Sequence, residues 1–219
     1  AAICNRETGI GADGLIRMIK RDGKWFMDYR NADGSIAEMC GNGIRVMARY
    51  LVEKGHQPEG IFAIDTRDGM KHLRVPMTGD ISVNMGKVTD EMEEVSVLQN
   101  THTWDALNIS VGNPHAVTFV EDLDLVGSLE IAPVVTPASS YPEGVNVEFV
   151  EILPNQEARM RVHERGSGET RSCGTGTCAV ALAATIHTGG KLPARWTIYP
   201  PGGRLIVDLD GHSNATLIG

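Results

Sequence analysis

The chain has 219 residues, of which 42% are hydrophobic and 22% charged, and a formal net charge of −8. That length supports a sizeable core, while an acidic balance without a Lys/Arg stripe argues against a nucleic-acid partner, which needs positive charge on one face. No apolar run approaches the ~20 residues of a membrane span, so the expected partner is a small molecule and not a bilayer.

The opening residues, Ala1-Ala-Ile-Cys-Asn-Arg-Glu7, carry neither the basic nor the apolar segment of a secretory signal, and a cytoplasmic location is expected. Gly9-Ile-Gly-Ala-Asp-Gly14 matches the dinucleotide pattern G-x-G-x-x-G, but the apolar Leu15-Ile-Arg-Met-Ile19 follows it, with no strand before it. That order is wrong for a phosphate-binding turn, so these glycines predict a tight turn feeding a strand. Next come a strand at Trp25–Tyr29, a turn at Asn31-Ala-Asp-Gly34 and a helix from Gly43 to Lys54 stopped at Gly55, with Cys40 at its start. Short strands are expected at Ile61–Ile64, His72–Val75 and Ile81–Met85, and the acidic stretch 89–94 is read as a linker.

The second half predicts strands near Leu107–Val111, Ala116–Val120, Val145–Val150 and Ala158–Val162 and a helix across 176–187. Trp196–Tyr199, the turn Pro200-Pro-Gly-Gly203 and Leu205–Leu209 follow. These elements parallel the first half. Gly34-Ser-Ile-Ala-Glu-Met-Cys40-Gly-Asn-Gly43 and Gly166-Ser-Gly-Glu-Thr-Arg-Ser-Cys173-Gly-Thr-Gly176 set their cysteines 133 residues apart, and Gly55 and Gly69 answer to Gly189 and Gly203 at a spacing of 134. A match that keeps phase over that distance is a duplicated supersecondary unit. The predicted fold is α+β, with two pseudo-symmetric lobes, residues 1–87 and 88–219, each a curved, mostly antiparallel sheet wrapped around one central helix, and a cleft between them.

The four cysteines, at positions 4, 40, 173 and 178, show no CxxC spacing, and no metal site is expected. Cys4 and Cys178 read as buried small hydrophobes. A cysteine at a helix N-terminus feels the positive end of the macrodipole, and the Gly-x-Gly that follows offers unpaired N–H groups to an anion; both favour thiolate. Two such turns facing each other would place one amino-acid α-carbon between two sulfurs. One thiolate could then remove the α-proton while the other thiol delivers one to the opposite face, with no cofactor needed. A dithiol switch joining Cys40 to Cys173 is the alternative from another class. Asn31, Asn113, Asn146 and the adjoining Glu164-Arg165 could hold a zwitterion, whereas His115 and His163, taken singly, read as structural.

These motifs, together with Tyr29-Arg-Asn-Ala-Asp-Gly34, Gly112-Asn-Pro-His115, Gly144-Val-Asn-Val147 and His163-Glu-Arg-Gly166, resemble the diaminopimelate epimerase family of cofactor-independent amino-acid epimerases. The resemblance spans nearly the whole chain and implies a homodimeric isomerase interconverting LL- and meso-diaminopimelate, in lysine and peptidoglycan precursor synthesis. It implies that Cys40 and Cys173 are the acid/base thiols, and that Gly41, Asn42, Gly174 and Thr175 hold the reacting carboxylate. It assigns Asn31, Asn113, Asn146, Glu164 and Arg165 to the distal amino-acid group, and His115 and Glu164 to tuning the thiols. Proline and hydroxyproline, which lack that second head group, are the runner-up substrates.

Overall fold

In a computed structural model, residues 2–219 are described, and the chain divides into two compact units, Ala1–Asn84 and Met85–Gly219. In the first unit, β1 (Gly14–Arg21) pairs antiparallel with β2 (Lys24–Asn31), and α1 (Gly41–Glu53) then crosses to β3 (Gly60–Thr66), which lies parallel to β2. Strands β4 (Gly69–Val75) and β5 (Ser82–Lys87) continue antiparallel. Helix α1 buries Ile44, Met47, Ala48, Leu51 and Val52, the spacing of a single apolar stripe, and packs that face on the sheet.

The turn expected at residues 9–14 is there. The Asn5 side chain accepts from the N–H groups of Glu7 and Thr8 at 2.9 and 2.8 Å, and a Cβ at Gly9 would lie 2.2 Å from the Ala2 carbonyl oxygen. Close backbone approach, and not nucleotide binding, is why a glycine stands there.

The second unit repeats the first and adds to it. Strand β6 (Thr89–Gln99) pairs with β7 (His102–Ser110), which pairs with β8 (Pro114–Phe119); β9 (Val134–Thr136) lies on the outer side of β6. Then β10 (Asn146–Leu153) and β11 (Glu157–Glu164) form a hairpin, with β12 (Gly168–Thr170) beside β11. Helix α2 (Gly174–His187) crosses to β13 (Ala194–Tyr199), parallel to β11, and β14 (Leu205–Leu209) and β15 (Asn214–Ile218) follow antiparallel. Hairpin, helix, parallel strand and two antiparallel strands is the order of the first unit, so the duplicated topology is explicit. Unlike α1, α2 is buried along nearly its whole length because it is built of small and apolar residues and the sheet contacts it from β6 round to β15.

Both helices also end alike. Gly55 and Gly189 adopt φ of +69° and +66°, with His56 N–H donating to Leu51 O and Gly190 N–H to Thr185 O, a Schellman stop in each case. The stretch 89–94 is not a linker but the first half of β6, bulged between Asp90 and Glu94, with Met92 at φ +57°. Its charges are solvated as their composition implies, but Val95 and Val97 are buried and draw the strand into the ladder.

Around the start of α1, Arg67 on the β3–β4 turn donates to the buried Asp28 carboxylate at 2.5 Å and to the Ala37 carbonyl at 3.4 Å, tying the loop before Cys40 to the sheet. Arg67, then Arg30, holds the Asp28 carboxyl below its ordinary 3.8. A depressed carboxyl contributes stability above the unfolded pKa and loses it as pH falls through the folded one. Asp28→Asn is therefore expected to cost about 1–2 kcal/mol at pH 7, discounted for the partly exposed arginines, with the difference from wild type closing below about pH 4 in urea titrations.

Candidate active site

Each helix begins with a cysteine in the capping position. Cys40 (φ −140°, ψ 113°) accepts from Gly43 N–H at 3.2 Å through its sulfur, and Cys173 (φ −114°, ψ 120°) accepts from Gly176 N–H at 3.3 Å. Their carbonyls take the first helical bonds, from Ile44 and Thr177, both at 2.9 Å. Oxygen side chains ordinarily hold this position, and sulfur is a weaker acceptor, so two sulfur caps in register mark the thiols as wanted for more than capping. Cys4 and Cys178 are buried and cap neither α1 nor α2.

In the first unit Cys40 is half-buried, and Gly41 and Asn42 form the first turn of α1, the Asn42 side chain accepting from Arg45 at 2.7 Å. Asn31 ends β2, donates to the Ser35 hydroxyl at 3.0 Å and lines an open cavity with Arg17, Asp28 and Arg30.

The second unit gathers the rest. Parallel register sets His115 of β8 beside Asn146 of β10, and the β10–β11 ladder sets Glu148 opposite Val162, so His115, Asn146, Glu148 and Glu164 share one sheet face. Asn146 joins two loops: its amide donates to Pro114 O and its oxygen accepts from Arg165 N–H, both at 3.0 Å. One amide hydrogen and one lone pair remain for a ligand. The Arg165 side chain runs exposed over Gly144, where a Cβ would lie 3.2 Å from Arg165 Cδ. His163 points to the opposite face and bonds the Leu129 carbonyl at 2.7 Å, the structural role expected of it.

Thr175, in the first turn of α2, lies 3.5 Å from Cys173 Sγ and 3.3 Å from Asn113 Nδ2. The other end of Asn113, Oδ1, is 3.1 Å from His115 Nε2, and His115 Nδ1 is 2.7 Å from Glu148 Oε1. The Glu164 carboxylate accepts from the Thr170 hydroxyl.

The thiolate expected from the helix terminus does not hold for Cys173. Burial, then the charges of Glu164 and Glu148, push its thiol well above the ordinary value, against the pull of the Thr175 and Gly176 donors. Burial likewise raises Glu164, with Glu148 adding to it. Glu148 itself was not singled out by the sequence reasoning. The available signal was a glutamate interrupting the inward alternation of an otherwise apolar strand.

A Cβ at Gly176 would lie 2.5 Å from Glu148 Oε1, whereas one at Gly43 would meet only side-chain atoms, at 3.2 Å. Gly176→Ala is expected to lower stability by about 1–3 kcal/mol, and Gly43→Ala by less, in paired urea titrations. For Glu164 the folded pKa lies above the ordinary 4.5, so its contribution is complete below that value and fades as pH rises through the raised one. Glu164→Gln should therefore gain in stability relative to wild type as pH rises above about 4.5, read from the pH dependence of the urea midpoint.

A family model described as Diaminopimelate epimerase matches residues 1–90 and 107–218. The diaminopimelate epimerase of Streptomyces coelicolor is 48% identical over 94% of the chain and 77% of that protein, and the one from Thermobifida fusca is 42% identical over 96% and 80%. Among solved structures, a hydroxyproline epimerase from Agrobacterium vitis superposes with a TM-score of 0.73 over 100% of this chain and 76% of its own, at 15% identity, a likeness of fold alone. The duplicated, sulfur-capped helix starts and the match along both units lead to one conclusion: the chain belongs to the diaminopimelate epimerase family.

Proposed function

We propose that this chain interconverts LL- and meso-diaminopimelate without a cofactor, with Cys40 and Cys173 as the two acid/base thiols. The observation that carries the reading is the repeated sulfur cap, which gives each thiol the same position relative to a row of helix N–H groups. The N–H groups at Gly41-Asn42 and Gly174-Thr175 would take the carboxylate of the reacting carbon, as helix N-termini take anions. One cysteine, as thiolate, accepts the α-hydrogen as a proton, and the C–H electron pair passes into the carboxylate-stabilised carbanion. The other cysteine, as thiol, gives its proton to the opposite face of the same carbon. The pair ends with its protonation states exchanged, and the reverse reaction resets it.

The upward shift of Cys173 suits the donor half of such a pair, since a thiol kept protonated has a proton to give. Arg165, with Asn31, Asn113, Asn146 and Glu164, forms the set assigned to the distal amino-acid group. Arg165 would supply a bidentate carboxylate contact, which neither proline nor hydroxyproline could use. A homodimer in the cytoplasm, serving lysine and peptidoglycan precursor synthesis, belongs to the same reading; among the described residues no helix is long and apolar enough to cross a membrane.

The decisive test is proton NMR of LL-diaminopimelate in D₂O with the protein, and with proline in parallel. The α-proton signal should vanish as meso product forms, and Cys40→Ala and Cys173→Ala should each reduce kcat by about 10³-fold or more. Full turnover in either variant would sink the two-thiol reading, and exchange on proline alone would reassign the substrate.

A further inference from the structure

Arg45 opens the second turn of α1, half-buried, and its guanidinium reaches back to the helix start. Its Nε donates to the Gly41 carbonyl at 3.3 Å and its Nη2 to Asn42 Oδ1 at 2.7 Å. Gly41 and Asn42 directly follow Cys40, whose sulfur caps the same turn. One side chain therefore ties both the backbone and the side chain of the segment beside the thiol.

The roles in this contact are fixed by the groups themselves. A guanidinium has donors and no acceptor, so the end of the Asn42 amide that faces it is the oxygen. The reversed amide would set Nδ2 hydrogens against a cationic donor and lose a charge-assisted bond. With its oxygen held, the Asn42 amide turns its donor end, Nδ2, away from the guanidinium. The repeat shows why only one helix start is built this way. The spacing of 133 that carries Cys40 to Cys173 also carries Asn42 to Thr175 and Arg45 to Cys178. A threonine hydroxyl can rotate its hydrogen toward whatever acceptor arrives, whereas a primary amide has two unlike ends and needs a partner that chooses between them. The second helix start, with Thr175, has no such choice to make, and the position of the arginine is taken there by a buried cysteine.

We propose that Arg45 is a positioning residue: it holds Asn42 by the oxygen so that the amide presents N–H, and not C=O, to the substrate carboxylate at the start of α1. The inference rests on the reading of Gly41-Asn42 as a carboxylate subsite and adds how the side chain there is oriented. An amide turned the other way would meet the carboxylate with a lone pair, opposing the backbone N–H groups that attract it. The charge of Arg45 also favours an anion at this turn, but it does so whether or not Asn42 is present. That difference separates orientation from plain attraction.

The test uses the full chain and LL-diaminopimelate. Neutron diffraction from deuterated wild-type crystals locates the deuterium atoms on Asn42 Nδ2, which should lie on the end away from Arg45; a nitrogen facing Arg45 overturns the proposal whatever the activity. Arg45→Met keeps an unbranched stem of good helix propensity and should lower kcat/KM by about tenfold, chiefly as a rise in KM. Arg45→Lys, which can still donate to Oδ1, should recover most of that loss. In an Asn42→Ala background the Arg45→Met change should cost less than about twofold, because no amide is left to orient. Equal losses in the two backgrounds would mean that Arg45 acts by charge or helix stability alone, and would overturn the proposal. Asn42→Asp keeps an oxygen for Arg45 but has no N–H to offer, so it should match the wild-type urea midpoint and lose at least as much turnover as Asn42→Ala. An aspartate variant as active as wild type would also overturn the proposal. Substrate α-proton exchange by the wild type decides separately whether the proposed reaction takes place, and the neutron map decides the orientation of Asn42 in either case.

Discussion

A helix start capped by sulfur is the constraint on which the rest of this molecule depends. In the cap position the Cys40 and Cys173 side chains cannot wander, because each accepts from the backbone N–H three residues on while its own carbonyl begins the helix. Glycine at that third position leaves room for the larger sulfur. The thiol and the N–H groups of the first helical turn thus come from one stretch of backbone. Everything else in each unit, from the sheet packed on the helix to the Schellman glycine that ends it, holds that stretch in place.

Around Cys173 two opposing influences meet. Helix terminus and hydrogen-bond donors draw the thiol toward ionisation, while burial and the nearby carboxylates push it the other way, and the second group wins. The sheet face beneath α2 carries His115, Asn146, Glu148 and Glu164, and a line of hydrogen bonds runs from Glu148 through His115 and Asn113 to Thr175 in the first turn of the helix. A polar network in a dry setting is sensitive to the direction of each bond, since an unmatched donor there is costly.

Much of this was legible in the residues. The paired Cys-Gly-x-Gly turns, both helices, the stopping glycines and most strands lie where local pattern puts them, because capping, glycine stops and alternation are local rules. The helices begin two residues earlier than their apolar pattern, at Gly41 and Gly174, since the glycines that open them carry no apolar signal. Residues 89–94 failed as a linker because an acidic run says where side chains point and not whether the backbone finds a partner. β9 and β12 are three residues each, too short for any period to show, and they exist only because β6 and β11 offer free edges.

By itself the sequence determined the duplicated α+β plan, the two cysteine-led helix starts, and the family, since these rest on spacing and on motifs that local backbone rules enforce. Only the tertiary structure decided how each thiol is held and what surrounds Cys173. The ladder register that puts Glu148 on the same face as His115, the burial that raises Cys173, and the turn of Asn113 between histidine and threonine all depend on residues far apart in the chain. A pKa is set by what surrounds a group in three dimensions, and no spacing along a single strand specifies that.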